Sequence, residues 1–157
     1  MSLTSAPMPA QPTHFAELNI ARMLGPTIDD PVMADFVAQL DAINALAERS
    51  PGFVWRLQSG EGNATSIRPF ADERLIVNLS VWASVESLLD FAYKSAHAEV
   101  FRHRHQWFER LEKPAVVIWP VAPGHLPTAL EAKARLEHLQ AHGPSDYAFD
   151  FKYRARR

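Results

Sequence analysis

The sequence predicts an α+β fold, a ferredoxin-like β-α-β-β-α-β antiparallel sheet followed by an extra C-terminal helix. Three observations predict it. Apolar residues alternate with period two in three short stretches, and a fourth is nearly all apolar. They recur at three and four residues in the stretches between. Paired turn formers such as Gly25-Pro26, Pro51-Gly52 and Gly143-Pro144 fall at the junctions. Two βαβ-like halves joined by a hairpin leave one sheet face to the helices. The other face has only the last helix and tail to cover it. Two such sheets meeting face to face would form a closed dimeric α+β barrel.

The first strand spans His14 to Met23, with Ala16, Leu18 and Ile20 on one side and Glu17 and Asn19 on the other. Asp30 is an N-cap and Pro31 suits the first helical position, so a helix follows, carrying Met33, Phe36, Val37, Leu40, Ile43, Asn44 and Ala47 inward. Asn44 is the one strong polar residue of that stripe, and a bond to a nearby backbone group would account for it. Residues 52–58 form a second strand, with Phe53, Trp55 and Leu57 alternating against Val54, Arg56 and Gln58. The Gly-, Ser- and Asn-rich run 59–72 suits an exposed hairpin loop. The third strand, 74–82, has Leu75, Val77, Leu79 and Val81 on its apolar side. Ile76, Asn78, Ser80 and Trp82 form its mixed side. In a barrel these mixed sides point into the interior.

Ser84 or a neighbour caps a second helix. Its apolar positions Val85, Leu88, Leu89 and Ala92 lie well round the cylinder from the stripe that follows, formed by Val100, Phe101, Arg104, Trp107, Phe108 and Leu111 with His97 near its middle. One straight helix cannot turn both sets toward one sheet. A break is therefore expected near residues 94–96, with His97 at or just after the start of a second segment that Pro114 ends. Residues 115–121 form a nearly all-apolar fourth strand. Thr128 and Glu131 then make a capping box for the last helix, lined by Ala129, Ala132, Leu136 and Leu139 and closed by Gly143-Pro144. Residues 1–12 read as a loose arm, 13–143 as a single domain and 144–157 as an aromatic tail whose Tyr147, Phe149, Phe151 and Tyr153 need cover.

Composition excludes several functions. With no cysteine there is no disulfide, thiol nucleophile or Cys-ligated metal, and a cytoplasmic protein is expected. A net charge of −2 gives no broad basic field for nucleic acid. No apolar run approaches a membrane span, and the opening residues lack the pattern of a signal peptide. No metal site is expected. His103 and His105 point about 160° apart on a helix, and His138 and His142 lack an accompanying carboxylate motif. His125 reads as a turn residue.

The candidate catalytic residues are His97 and Arg104. At a helix start beside a cavity, His97 would be a neutral base; the plainer account fixes it to a backbone carbonyl at the helix break. Arg104 on the buried stripe would hold a carboxylate or enolate oxygen, with an ion pair to Glu17 or Glu99 as the rival account. Asn19, Asn78 and Ser80 would orient a polar ring substituent. Trp55, Trp82, Trp107 and Trp119 would form a flat cavity wall, or else simply core.

The runs W-x-S-x-E-x-L-x-x-F-x-Y-x-S-x-H (82–97), R-x-x-W-F (104–108), W-P-V-A-P-G-H-x-P-T (119–128) and G-P-x-D-Y-A-F-D-F (143–151), with N-I-A-R at 19–22, resemble a bacterial family, domain of unknown function 3291. That family is grouped with the dimeric α+β barrels. These include cofactor-free quinol monooxygenases of antibiotic pathways, lactone isomerases, polyketide cyclases and haem-binding enzymes. The resemblance implies the fold and a site in the barrel cavity, without established catalytic residues. Together these readings describe a small homodimeric enzyme, without cofactor, acting by acid–base chemistry on an aromatic or polyketide-like molecule. It would be monooxygenase-, isomerase- or cyclase-like. The alternative is a non-catalytic binder or sensor of a small apolar ligand, haem among them.

Overall fold

The computed structural model describes residues 13–58 and 68–153. The expected arm and most of the expected hairpin loop lie outside them. The described elements are β1 (His14–Met23), α1 (Ala34–Glu48), β2 (Phe53–Arg56), β3 (Leu75–Trp82), α2 (Val85–Lys94), α3 (His97–Arg102), β4 (Phe108–Glu109), β5 (Val116–Val121) and α4 (Ala129–His142). The architecture is α+β, with a ferredoxin-like antiparallel sheet and an extra C-terminal helix.

β1 is the central strand. It pairs with β3 over Phe15–Arg22 on one edge; on the other it pairs with β5 over His14–Asn19 and then with β4 at Arg22 and Met23. β2 joins the outer edge of β3. The tail continues the sheet beyond β5, where Ile118 and Phe149 exchange backbone hydrogen bonds of 2.7 and 2.9 Å. The expected aromatic tail therefore lies against its own sheet: Ala148 and Phe149 are buried, and Phe151 and Tyr153 pack beside Phe149.

The register makes the two faces unlike. Ala16, Leu18, Ile20, Val77, Leu79, Val81, Val117 and Trp119 share one face and bury Ala132, Leu136 and Leu139 of α4 against it. Phe15, Glu17, Asn19, Ala21, Ile76, Asn78, Ser80, Trp82 and Ile118 share the other, toward α1 and α2. The apolar face is thus covered within the protomer by α4. The mixed sides of the strands point under the helices, not into a space between two sheets as the sequence suggests.

Local chemistry explains most boundaries. Asp30 accepts from the Val32 amide (3.0 Å) and caps a short 3-10 turn, Pro31–Met33, so α1 starts three residues later than Pro31 implies. Ser84 caps α2 by accepting from the Ser87 amide, and Thr128 caps α4 by accepting from the Glu131 amide, each at 3.1 Å. Gly143 ends α4 at φ 78°, a conformation that favours glycine. A bulge between Phe53 and Trp55 breaks the expected alternation of β2. Phe53 faces the helices, whereas Trp55 and Leu57 join the α4 side.

The stretch after His97 departs most from expectation. The helix expected to continue to residue 111 stops at Arg102, a 3-10 turn spans Arg104–Gln106, and Phe108–Glu109 form a strand. Tertiary packing overrides helical periodicity here. Trp107 is buried among Met23, Met33 and Ile76, its carbonyl accepts from Leu24 N–H (2.8 Å), and Phe108 pairs with Met23. Arg22 holds this corner through ion pairs to Asp72 (2.8 Å) and Glu109.

Leu136 is fully buried between α4 and the sheet, whereas Leu130 on the same helix is 70% exposed. Leu136→Ala should lower unfolding free energy by about 2–5 kcal/mol in urea titration. Glu137→Ala, at an exposed position of the same helix, should change it by less than about 0.5 kcal/mol. Equal small effects would show that α4 does not seal this face.

Candidate functional site

α1 is anchored to the sheet at its two ends. Phe36 packs on the cluster of Met23, Ile76 and Trp107, and Ala47 on the cluster of Trp82 and Ile118. Between these anchors the helix passes over the middle of β1 and β3, where Glu17, Asn19, Asn78 and Ser80 lie. A helix laid flat on a sheet buries its inner stripe. Here Leu40, Ile43 and Asn44 are only half-buried, and Asn78, in the middle of an interior strand, is exposed. The sheet face beneath α1 therefore opens to solvent at Asn78, and this opening is the candidate cleft.

The floor of the cleft is built by cross-strand pairing, with Asn19 opposite Asn78 and Glu17 opposite Ser80. Glu17 is 5% exposed. The Asn19 amide donates to one of its oxygens (2.8 Å) and the Ser80 hydroxyl to the other (3.4 Å). Ser80 Oγ in turn accepts from the Trp82 indole N–H (2.9 Å). Among the described residues no cation pairs with Glu17. The nearest arginine by register, Arg56 opposite Ser80, is bound to Glu48 of α1 (2.8 Å). Burial accordingly pushes the Glu17 carboxyl up from 4.5 to about 7, and the Asn19 and Ser80 hydrogen bonds only partly oppose it. Asn44 and Asn78 make no side-chain hydrogen bond among the described residues.

An aromatic wall leads from this floor to His97. Trp82 stacks on Phe91 with ring centres 5.1 Å apart, and Phe91 meets the His97 ring at 5.0 Å. The helix break falls where the sequence places it. α2 ends at Lys94, Ser95 supplies the link, and His97 opens α3 with its backbone N–H donating to Ser95 Oγ (3.2 Å). His97 Nδ1 lies 3.1 Å from the Ala92 carbonyl. A carbonyl can only accept, so Nδ1 carries the hydrogen and Nε2 the free lone pair. Burial holds the imidazole below its ordinary value of 6.5, with the Ala92 bond acting the other way.

The other expected site residues divide. Asn19, Asn78, Ser80 and Trp82 share the sheet face under the helices, with Ser80 and Trp82 buried. Arg104 does not: it is exposed, donates to the Phe101 carbonyl (2.9 Å) and lies 4.0 Å over the Phe101 ring. It makes neither expected ion pair among the described residues; Arg102 and His103 take Glu99. The four tryptophans form no single wall. Trp55 and Trp119 lie on the α4 face, where Trp119 is fully buried and donates to Glu131 (3.0 Å). Trp107 packs at the far end. His125 holds the same Glu131 (2.7 Å), which ties the turn to the start of α4. No group of three or more metal-binding side chains occurs among the described residues. A shallow groove lined by Ile28, Asp30, Ala34 and Val37 lies beside the start of α1, away from this polar cluster.

The sequence places Glu17 on the polar side of β1 and offers it as a rival partner for Arg104, without marking it as a site residue. One signal was available: an acidic residue inside a central strand, with no basic residue at an alternating position beside it.

These features define an α+β protein with a polar, cation-poor cleft under its helices. The chain belongs to the family described as Domain of unknown function (DUF3291), whose model matches residues 14–157. No curated protein matches it. Among solved structures it is similar to protein SO0527 from Shewanella oneidensis, with 10% identity, 71% of this chain and 93% of that chain covered, and a TM-score of 0.49. It is similar to the monooxygenase from the gene ActVA-Orf6 of Streptomyces coelicolor, in complex with Nanaomycin D, with 17% identity, 74% and 94% covered, and a TM-score of 0.44. It is also similar to MupZ from Pseudomonas fluorescens, with 13% identity, 99% and 95% covered, and a TM-score of 0.43. None of these similarities transfers a reaction. No helix among the described residues is long and apolar enough to cross a membrane.

The raised Glu17 value makes stability depend on pH. Because the folded carboxyl holds its proton to about 7 and the ordinary value is 4.5, the folded state binds more protons between these limits, and stability falls as pH rises through them. The full effect is roughly 3 kcal/mol at about 1.4 kcal/mol per pH unit. The depressed His97 acts in the opposite direction, so the comparison must be variant against parent. Glu17→Gln should be the more stable protein at pH 8, by up to about 3 kcal/mol, with the difference vanishing near pH 4. A constant difference across that range in denaturant titrations would contradict the assignment.

Proposed function

We propose that this chain is a small enzyme that moves protons on a flat aromatic or polyketide-like molecule held in the cleft between α1 and the sheet. It acts without a cofactor, in the manner of an isomerase or a cofactor-independent monooxygenase, and as a homodimer in the cytoplasm. The observation that carries the reading is the lining of the cleft. Uncharged amides of Asn19, Asn78 and Asn44 stand without a competing cation on the side of the half-buried Phe91 ring, which is backed by the buried Trp82. Such a surface stacks a flat ring and hydrogen-bonds its oxygens.

In this scheme His97 is the base. Its Nδ1–H is fixed by the Ala92 carbonyl, which leaves Nε2 to take a proton from carbon. As negative charge builds on the ligand oxygen, the amide N–H groups of Asn78 and Asn44 stabilise it. Two large apolar side chains at the start of α4, Leu126 and Leu130, are 53 and 70% exposed and offer surface to a second copy.

Native mass spectrometry of freshly purified protein should show a dimer and any retained small molecule. In D2O the protein should catalyse hydrogen–deuterium exchange at the enolisable carbon of 2-tetralone or anthrone, followed by NMR. His97→Ala should lower that exchange by about 10²–10⁴-fold, while costing only about 1–2 kcal/mol of stability for the lost bond to Ala92. Exchange by the parent no faster than in buffer would sink the reading.

A further inference from the structure

We propose that Glu17 is the acid of this site, donating its carboxyl O–H to the ligand oxygen on which charge develops while His97 Nε2 removes the carbon-bound proton. The inference rests on the reading of the cleft as an acid–base site. It gives Glu17 a role that neither the sequence pattern nor the similarities assign.

The geometry supports it in three ways. First, the carboxyl is buried in a central strand, and among the described residues no lysine or arginine pairs with it. From β3 it meets Ser80, and from β5 its register partner is Ile118. From α1 the inward residues are Leu40, Ile43, Asn44 and Ala47; from α2 they are Leu88, Phe91 and Ala92; α3 contributes His97, and the tail Phe149. Arg56 of β2 is committed to Glu48. The remaining arginine on β1, Arg22, is held by Asp72 and Glu109 at the other end of the strand. An unpaired carboxylate in such surroundings is costly, so the group keeps its proton.

Second, one carboxyl oxygen lacks a full partner. The Asn19 bond at 2.8 Å is ordinary, but the Ser80 hydroxyl stands 3.4 Å from the other oxygen, beyond the usual O–H···O range. That oxygen is the one able to hold a proton and pass it on. Third, it lies one residue pair along the pleat from Asn19 and Asn78, where the cleft opens to solvent.

Burial displaces Glu17 and His97 in opposite directions, so in the window below about pH 7 and above the lowered His97 value both are mostly neutral. A neutral carboxylic acid and a neutral imidazole are the forms that can respectively give and take a proton. The step balances without any further reactant. The C–H bond breaks, its proton goes to Nε2, the electron pair moves toward the carbonyl oxygen, and the Glu17 proton forms the enol O–H. The carboxylate and imidazolium left behind return to the starting forms when the proton is delivered back to carbon.

The test uses the full chain with glutamate labelled at its carboxyl carbon. One carboxyl signal should titrate with a midpoint near pH 7 and be absent from Glu17→Gln. With 2-tetralone as the probe, the parent's exchange rate should follow a bell-shaped pH profile. In Glu17→Gln the rate should fall on the order of 10–100-fold and the alkaline limb should disappear. The acid limb, set by His97, should remain. Glu17→Gln with the parent's rate and both limbs would overturn the proposal and leave the reading of the cleft intact, as would a Glu17 midpoint below pH 5. A parent that exchanges no faster than buffer would remove both.

Discussion

β1 is hydrogen-bonded along both edges, and the rest of the molecule depends on that constraint. With β3 on one side and β5 and β4 on the other, the strand cannot slide by one residue without breaking two ladders and turning every side chain to the wrong face. Its alternation therefore sorts the protein into two halves. Ala16, Leu18 and Ile20 build a dry layer with α4, and Glu17 and Asn19 are committed to the side under α1 and α2. The buried carboxyl is tolerated because the dry layer on the reverse of the same strand holds it in place.

The electrostatics of the cleft follow from what is missing near the floor. The arginines closest to it are already engaged, Arg56 by Glu48 and Arg22 by Asp72 and Glu109. The same low-dielectric surroundings act on Glu17 and His97 with opposite effect, since one is charged when it loses a proton and the other when it gains one. The cleft thus favours uncharged partners on both sides of a proton transfer.

Much of the fold was legible in the sequence because it rests on local rules. Period-two alternation marked β1 and β3, and capping residues marked the starts of α2 and α4. The incompatible stripes of α2 and the next segment placed the break at His97. The failures came where long-range contacts outweigh periodicity. Trp107 and Phe108 fit a helical stripe, yet burial beside Met23 and pairing with β1 draw them into a turn and a strand, which leaves Arg104 in solvent. The bulge in β2 moved Phe53 to the opposite face from Trp55. For the site, Asn19, Asn78, Ser80 and Trp82 were readable as one face of two strands. The isolation of Glu17 was not, because it depends on which acids the arginines find in three dimensions.

α1 resembles a beam resting on two supports, with Phe36 at one end and Ala47 at the other. Its middle residues Leu40, Ile43 and Asn44 contribute little to holding the sheet, so they are free to vary in size and polarity at low cost to folding. A fold arranged this way can change the shape of what it accommodates by rewriting one helical turn, while the strand beneath keeps its proton-bearing group unaltered.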